Sequence, residues 1–207
     1  MKEDILEQLV DDYLQTRGYF TRHNLKFRPR DGHPDFVRNQ DSNHSDIDVL
    51  GYHPKLSGPE RVMAVSCKSW QSGFRVRSNI ANLEGNKIRS GREAWKGFRE
   101  LTQPKWSEAF IAAVYDATDS AEFTYITAVT AIKGDRTAWE NYPQFRDAMR
   151  GNPVRLLPLN EMLKELWPML TTTMAASQLG RTLQLLKASG CSFTMAEIAS
   201  VIADADA

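Results

Sequence analysis

Two short apolar stretches each carry residues able to do chemistry at one end. In Ser45-Asp46-Ile47-Asp48-Val49-Leu50 two carboxylates stand two residues apart, and in Val62-Met63-Ala64-Val65-Ser66-Cys67-Lys68 a hydroxyl and an ammonium do the same. Side chains alternate faces along a strand. Asp46, Asp48 and Leu50 therefore share one face of the first stretch, and Ala64, Ser66 and Lys68 share one face of the second. If the two pair as neighbouring strands, Asp48 and Lys68 meet at one end of the sheet. A charge that closes an apolar run needs a partner or an exit to water. A carboxylate beside a lysine in such a place suits metal-assisted hydrolysis, in which the carboxylate holds a divalent cation and the lysine orients the attacking water.

The surrounding elements must bring these strands together. Ile5, Leu6, Leu9, Val10, Tyr13 and Leu14 recur at helical spacing before Gly18, which predicts a helix over 5–17. Tyr19–Phe27 reads as a strand, Arg28–Ser45 as a polar loop, and Asp46–Tyr52 and Val62–Trp70 as two strands joined by a turn over Pro54–Glu60. Asn79–Leu101 reads as a basic helix broken at Gly85, Gly91 and Gly97. Glu108–Tyr115, Phe123–Ile132 and Pro153–Leu157 read as strands, and Asn160–Trp167 as a helix stopped by Pro168. The expected class is α/β: a central mixed sheet flanked by helices over 1–170, with a helical appendage over 171–207. In that appendage Met174–Ala188 and Thr194–Ala203 form a hairpin about Ser189-Gly190. Its only bases are Arg181 and Lys187 and it closes on Asp204-Ala205-Asp206, which suits packing or dimerisation better than a recognition helix.

The ordered set Ser45-Asp46-Ile47-Asp48-Val49-Leu50, a hairpin, then Ala64-Val65-Ser66-Cys67-Lys68 resembles the core of the PD-(D/E)xK, or restriction-endonuclease-like, nuclease superfamily. Upstream, Glu7, Val10, Tyr13, Leu14, Gly18, Tyr19 and Asn24 follow the pattern of those members that begin with a helix bearing an inward Glu, a Gly-aromatic turn and a strand. The resemblance covers about residues 3–132, with an echo in Val154–Leu166. It implies a restriction-endonuclease-like fold and a DNA endonuclease dependent on Mg²⁺, with Mn²⁺ as a substitute. Asp48 and the backbone carbonyl of Cys67 are then metal ligands, and Lys68 is the catalytic lysine. One position departs from the pattern: the second carboxylate belongs two residues before the lysine, where this chain has Ser66. Serine supports a water but brings no charge to a hard cation. The resemblance assigns the missing carboxylate to Glu84 on the following helix, or to Glu7 through a water.

Each of these residues also has a plainer reading. Asp48 could be a surface acid at a strand end, and Lys68 could snorkel from the sheet edge. Glu7 has the spacing of a capping box with Asp4 as N-cap, and Glu84 could balance neighbouring bases. Asp46 reads as a supporting or solvent-facing acid. Asp35, in His33-Pro34-Asp35, is a literal Pro-Asp but lies in the polar loop.

Composition narrows the classes further. The chain has 207 residues, 26 Lys+Arg against 26 Asp+Glu, 42% apolar and 25% charged residues. That describes a globular protein able to bury a core without staples. Neutrality hides segregation: residues 17–38 carry +4 and residues 61–99 carry +7, leaving −11 elsewhere. A basic face on a neutral protein can meet a polyanion, and the expected DNA contacts are Gln71, Arg75, Arg77, Lys87, Arg89 and Arg92. Two cysteines make no disulfide framework, and the acidic amphipathic start is unlike a signal peptide, so a cytoplasmic protein is expected. No apolar run reaches the length of a membrane span. No Gly-rich phosphate loop is present, so no nucleotide cofactor is expected, and His23, His33, His44 and His53 lack a zinc-site spacing with cysteine. Cutting both strands would favour a homodimer. Against the nuclease stand a catalytically inactive relative of the same fold that binds nucleic acid or a protein, and an assembly protein whose basic faces meet an acidic partner.

Overall fold

A computed structural model describes residues 4–89, 91–171, 175 and 177–191. Asp4 caps the first helix, α1 (Ile5–Thr16), its carboxylate accepting from the Leu6 N–H at 2.8 Å. The helix ends at a turn where Gly18 has φ +90° and a Cβ would lie 2.9 Å from His53 Nε2, so only glycine fits. From there β1 (Phe20–Phe27) runs into a loop holding one short helix, α2 (Arg38–Asp41), followed by β2 (Ser45–Tyr52) and β3 (Val62–Lys68).

The next stretch differs from the single broken helix that its composition suggests. It forms β4 (Phe74–Arg75), α3 (Val76–Glu84), a small hairpin of β5 (Ile88–Arg89) and β6 (Arg92–Glu93), and α4 (Arg99–Thr102). Gly85 caps α3, and Asn86 (φ 43°) and Gly91 (φ 75°) take left-handed turns, which end one helix and let the chain fold back on itself.

The stretch expected as a strand over Glu108–Tyr115 is instead the middle of a helix, α5 (Pro104–Thr118). Trp106, Phe110, Ile111 and Val114 are buried at helical spacing, and the alanines between them favour helix. A short apolar run alone could not separate the two readings. The remaining elements are β7 (Thr124–Val129), β8 (Ile132–Lys133), α6 (Thr137–Glu140), α7 (Pro143–Ala148), β9 (Val154–Pro158), α8 (Leu159–Met169) and α9 (Gln178–Ala188). Helices α6 and α7 lie where no element was expected.

The main sheet has the order β1-β2-β3-β7-β9. β1, β2 and β3 pair antiparallel, while β3, β7 and β9 pair parallel. The protein is therefore α/β with a mixed five-stranded sheet flanked by helices, and among the described residues no helix is long and apolar enough to cross a membrane. Leu50, Ala64, Tyr125 and Leu156 face one layer, packing with Phe98, Leu101, Trp106, Phe110 and Trp139. Val49, Val65, Ile126 and Ala128 face the other, against α1 and α8. α9 docks on that second layer through Leu183, and the Lys187 ammonium donates to the carbonyls of Trp167 and Leu170, each at 2.7 Å. The expected second helix of the tail, Thr194–Ala203, lies outside the described residues.

One buried ion pair anchors the long loop. Asp41, wholly buried, accepts from the Lys105 ammonium at 2.6 Å, the Trp106 indole at 3.0 Å and the Val37 N–H at 2.7 Å. Lys105 also donates to the Asp35 carbonyl at 2.9 Å, so Asp35 is held against α5 through its backbone. A buried carboxylate is tolerable only with such a full set of partners.

Candidate functional site

The site forms where β2 begins and β3 ends. Val49 pairs with Val65 and Leu50 with Ala64, but the ladder stops there. Beyond it the Asp48 carboxylate takes the place of a backbone acceptor: its Oδ2 accepts from the Cys67 N–H at 2.6 Å. The opposite neighbour is also interrupted. β1 pairs with β2 on either side of this point, His23 with Val49 and Leu25 with Ile47, while Asn24 between them has φ 52°. Asparagine is among the few side chains that accept this conformation at modest cost. Asp48 thus sits in a break in the ladders on both sides, and its Oδ1 has no hydrogen-bond partner among the described residues.

The N-terminus of α1 is fastened to the same place. One oxygen of Asp4 caps the helix, and the other accepts from the Ser69 hydroxyl at 2.7 Å, just past the end of β3. Glu7 follows one turn later. Asp4 caps at the N–H of Leu6 rather than that of Glu7, so no capping box forms among the described residues, and Glu7 is drawn into the site's electrostatics. Burial, then the negative charges of Asp48, Asp4 and Asp46, push its carboxyl up to about 7, with His23 opposing. Asp48 is pushed up to about 6, chiefly by burial and further by Asp46 and Glu100. The Lys68 ammonium and the Cys67 N–H hold it down. Asp46 is ion-paired with Lys26 at 2.7 Å, so it supports the rim.

Lys68 is half-buried and donates to the Ser66 hydroxyl at 2.9 Å, and its ammonium lies 5.5 Å from the centre of the Phe98 ring. Ser66 itself is buried. The Cys67 thiol is raised well above its ordinary value by burial and by Asp48 and Glu7, which makes it a poor nucleophile. The exposed indole of Trp70 stacks on Phe74 at 5.8 Å, and Phe98 packs edge-on to both.

Of the residues singled out from sequence, the structure brings together Glu7, Asp48, Ser66, Cys67 and Lys68. It does not bring Glu84 to them: at the exposed end of α3 that carboxylate accepts from the Tyr142 hydroxyl at 2.7 Å. Gln71, Arg75, Arg77, Lys87 and Arg92 are exposed. Arg75 and Arg77 lie on β4 and the start of α3. Lys87 precedes the β5–β6 hairpin, in which Arg89 pairs with Arg92, so these bases decorate a hairpin rather than a helix. One residue was missed. Glu100, buried on α4, raises Asp48 and accepts from the Tyr125 hydroxyl at 2.6 Å. Its only sequence signal was an acid inside an apolar helical stripe, Trp95, Phe98 and Leu101.

Among the described residues no three His, Cys, Asp or Glu side chains gather into a metal cage. What the site offers is two carboxylates, one oxygen of Asp48 uncommitted. This donor set is sparse for Ca²⁺ or Zn²⁺ but fits Mg²⁺, which keeps several waters and binds through one or two carboxylates together with substrate phosphate. Comparison with family models, with curated proteins and with solved structures finds no match to the chain.

Proposed function

We propose that the protein is a metal-dependent DNA endonuclease that hydrolyses phosphodiester bonds, built on a restriction-endonuclease-like sheet. The observation that carries the reading is the meeting of Asp48 and Lys68 at one sheet end, with Glu7 delivered to the same point by α1. Two carboxylates pushed up to about 6 and about 7, first by burial and then by neighbouring acids, resist ionisation, a cost that a divalent cation would relieve. Asp48, Glu7 and the Cys67 carbonyl would hold Mg²⁺, or Mn²⁺ in its place. The ion would supply charge neutralisation at the phosphate and a more acidic bound water.

The chain's own residues do the rest. An ammonium has three N–H donors. Ser66 takes one from Lys68, and the other two are free to hold the attacking water and a non-bridging phosphate oxygen in line with the scissile bond. Ser66 fixes the direction of the lysine without adding a charge that would repel the phosphate. Asp48 is held through one oxygen by the Cys67 N–H, which would leave the second for the cation. Gln71, Arg75 and Arg77, exposed and following β3 in the chain, would supply the contacts to flanking phosphates, and binding through them would weaken with salt.

The test is incubation with linear, circular and single-stranded DNA in Mg²⁺, Mn²⁺ or EDTA, beside Asp48→Ala. Cleavage confined to the metal-containing reactions and lost in the variant supports the reading. Tight, salt-sensitive binding without cleavage would replace it with the inactive, nucleic-acid-binding alternative.

A further inference from the structure

The turn that follows Lys68 carries an aromatic ring that the hydrolytic scheme leaves unused. Trp70 is 39% exposed. Single exposed apolar residues are ordinary on a protein surface, but few are held as this one is. The Trp70 N–H donates to the Lys68 carbonyl at 2.9 Å, and the Trp70 carbonyl accepts from the Gly73 N–H at 3.0 Å. The turn is therefore closed directly on the end of β3. Gly73 has φ +74°, and a Cβ there would lie 3.3 Å from Lys133 Cε and 3.4 Å from the Ala131 carbonyl oxygen, so the close approach favours glycine. The Phe74 N–H donates to that same carbonyl at 2.7 Å, which fixes the far end of the turn.

The side chain is fixed as well. Its indole lies parallel to the Phe74 ring, with centroids 5.8 Å apart and an interplanar angle of 7°. Phe98 stands edge-on to both rings, 6.1 Å from each. Phe74 packs in turn on the wholly buried Trp139 at 4.8 Å. Of these four rings only Trp70 reaches water, since Phe74 and Phe98 are buried too. The result is a flat apolar surface whose orientation is set before any ligand arrives.

Phe98 ties this surface to the site, because its ring is also 5.5 Å from the Lys68 ammonium. Ammonium and indole are separated by no more than those two distances laid end to end. That is the span of about three nucleotides at the roughly 3.4 Å rise of a stacked strand. A phosphate held at Lys68 therefore has a neighbouring base within reach of Trp70. Exposed Gln71, Arg75 and Arg77 follow the ring in the chain, so it stands in a basic setting rather than an apolar patch. A polyanion that carries aromatic bases matches both the charge and the ring.

We propose that Trp70 is a stacking platform for a nucleobase beside the scissile phosphate, and that the preferred substrate is DNA whose bases are unpaired there. The proposal rests on the reading of the sheet end as a site that holds DNA. In an intact duplex each base already has its faces covered by its neighbours, so the indole gains a partner only where a base has left the stack. Every base has a π-face, so the ring selects the form of the DNA and not its sequence.

The experiment measures binding by the full chain in EDTA, so that no cleavage intervenes. The probes are a single-stranded DNA oligonucleotide, its duplex, and the same strand with an abasic site in place of every base. Trp70→Ala should weaken binding to the single strand on the order of tenfold to a hundredfold and leave the duplex within about twofold of wild type. On the abasic strand the variant should match wild type, because the ring's partner is gone. Trp70→Phe should keep most of the affinity. Trp70→Leu, which keeps Phe74 covered but offers no π-face, should behave as the alanine. The slope of log K against log salt should not change, since the ring neutralises no phosphate. Equal losses on single strand and duplex, a loss that persists on the abasic strand, or a leucine variant as tight as wild type would each overturn the proposal. So would a wild type that binds none of the three probes. Base-dependent loss in a protein that cuts no DNA would sink the nuclease reading and leave the stacking standing. Metal-dependent cleavage with single-strand binding indifferent to Trp70→Ala would do the reverse.

Discussion

If the site crowds carboxylates to receive a cation, the metal-free protein must bear a cost at neutral pH, and Asp48→Asn should remove it. Asp48 is pushed from 3.8 to about 6. Each unit corresponds to about 1.36 kcal/mol, so the ionised form costs the fold about 3 kcal/mol. The sign follows from linkage. A carboxyl raised on folding binds its proton more tightly in the native state, so stability is greatest below about pH 4 and falls as the pH rises through 6. Asparagine stands in for the protonated acid and keeps an oxygen that can accept from the Cys67 N–H. In EDTA at pH 8 the variant should therefore be more stable by up to about 3 kcal/mol, or roughly 6–12 °C in Tm for a chain of this size. At pH 4 the difference should nearly vanish. Glu7 acts in the same direction, more weakly because solvent screens it. Adding Mg²⁺ should narrow the gap, since the wild type gains about 1.4 kcal/mol for a tenfold excess over Kd and the variant does not. Thermal or urea denaturation at the two pH values, with and without Mg²⁺, reads all of this. An Asn variant less stable than wild type at pH 8, or a gain of equal size at pH 4, would refute the reasoning.

Other expectations follow from single contacts. Lys105→Met leaves Asp41 buried with no countercharge and should cost about 3–5 kcal/mol in denaturant unfolding; adding Asp41→Asn should recover part of the loss. Glu84→Ala breaks only an exposed bond to Tyr142, so metal affinity and cleavage should both match wild type. Arg75→Ala and Arg77→Ala should weaken DNA binding without preference for sequence, each lowering the slope of log K against log salt by about one.

Residues 45–68 were legible because a strand's period of two assigns faces directly, and charges that interrupt an apolar run demand explanation. The structure does bring Asp48, Ser66 and Lys68 together, but the alternation itself breaks at Asp48: Ile47 packs in the same layer as Leu50 while Val49 packs in the other. Asp4 was legible as the cap of α1, while the electrostatic role of Glu7 depended on Ser69 pinning the helix to the end of β3, a contact across 65 residues. The α5 segment was misread as a strand because its apolar stretch is too short for its period to decide. The basic segment Asn79–Leu101 read as a helix broken at Gly85, Gly91 and Gly97; the breaks were legible, but not that Gly85-Asn86 and Gly91 fold the chain back into a hairpin. Glu100 was invisible for a different reason: its partner Tyr125 lies 25 residues away, on a strand that the sequence alone does not bring against α4.

The most direct measurement is the single-turnover rate of cleavage of a circular DNA at saturating Mg²⁺ by wild type and by Lys68→Ala, with binding measured in parallel. The account predicts that the variant binds DNA about as well and loses at least a hundredfold in rate, the usual weight of a group that transfers or positions a proton. Cleavage by Lys68→Ala at the wild-type rate would show that the sheet-end cluster is not the catalytic site.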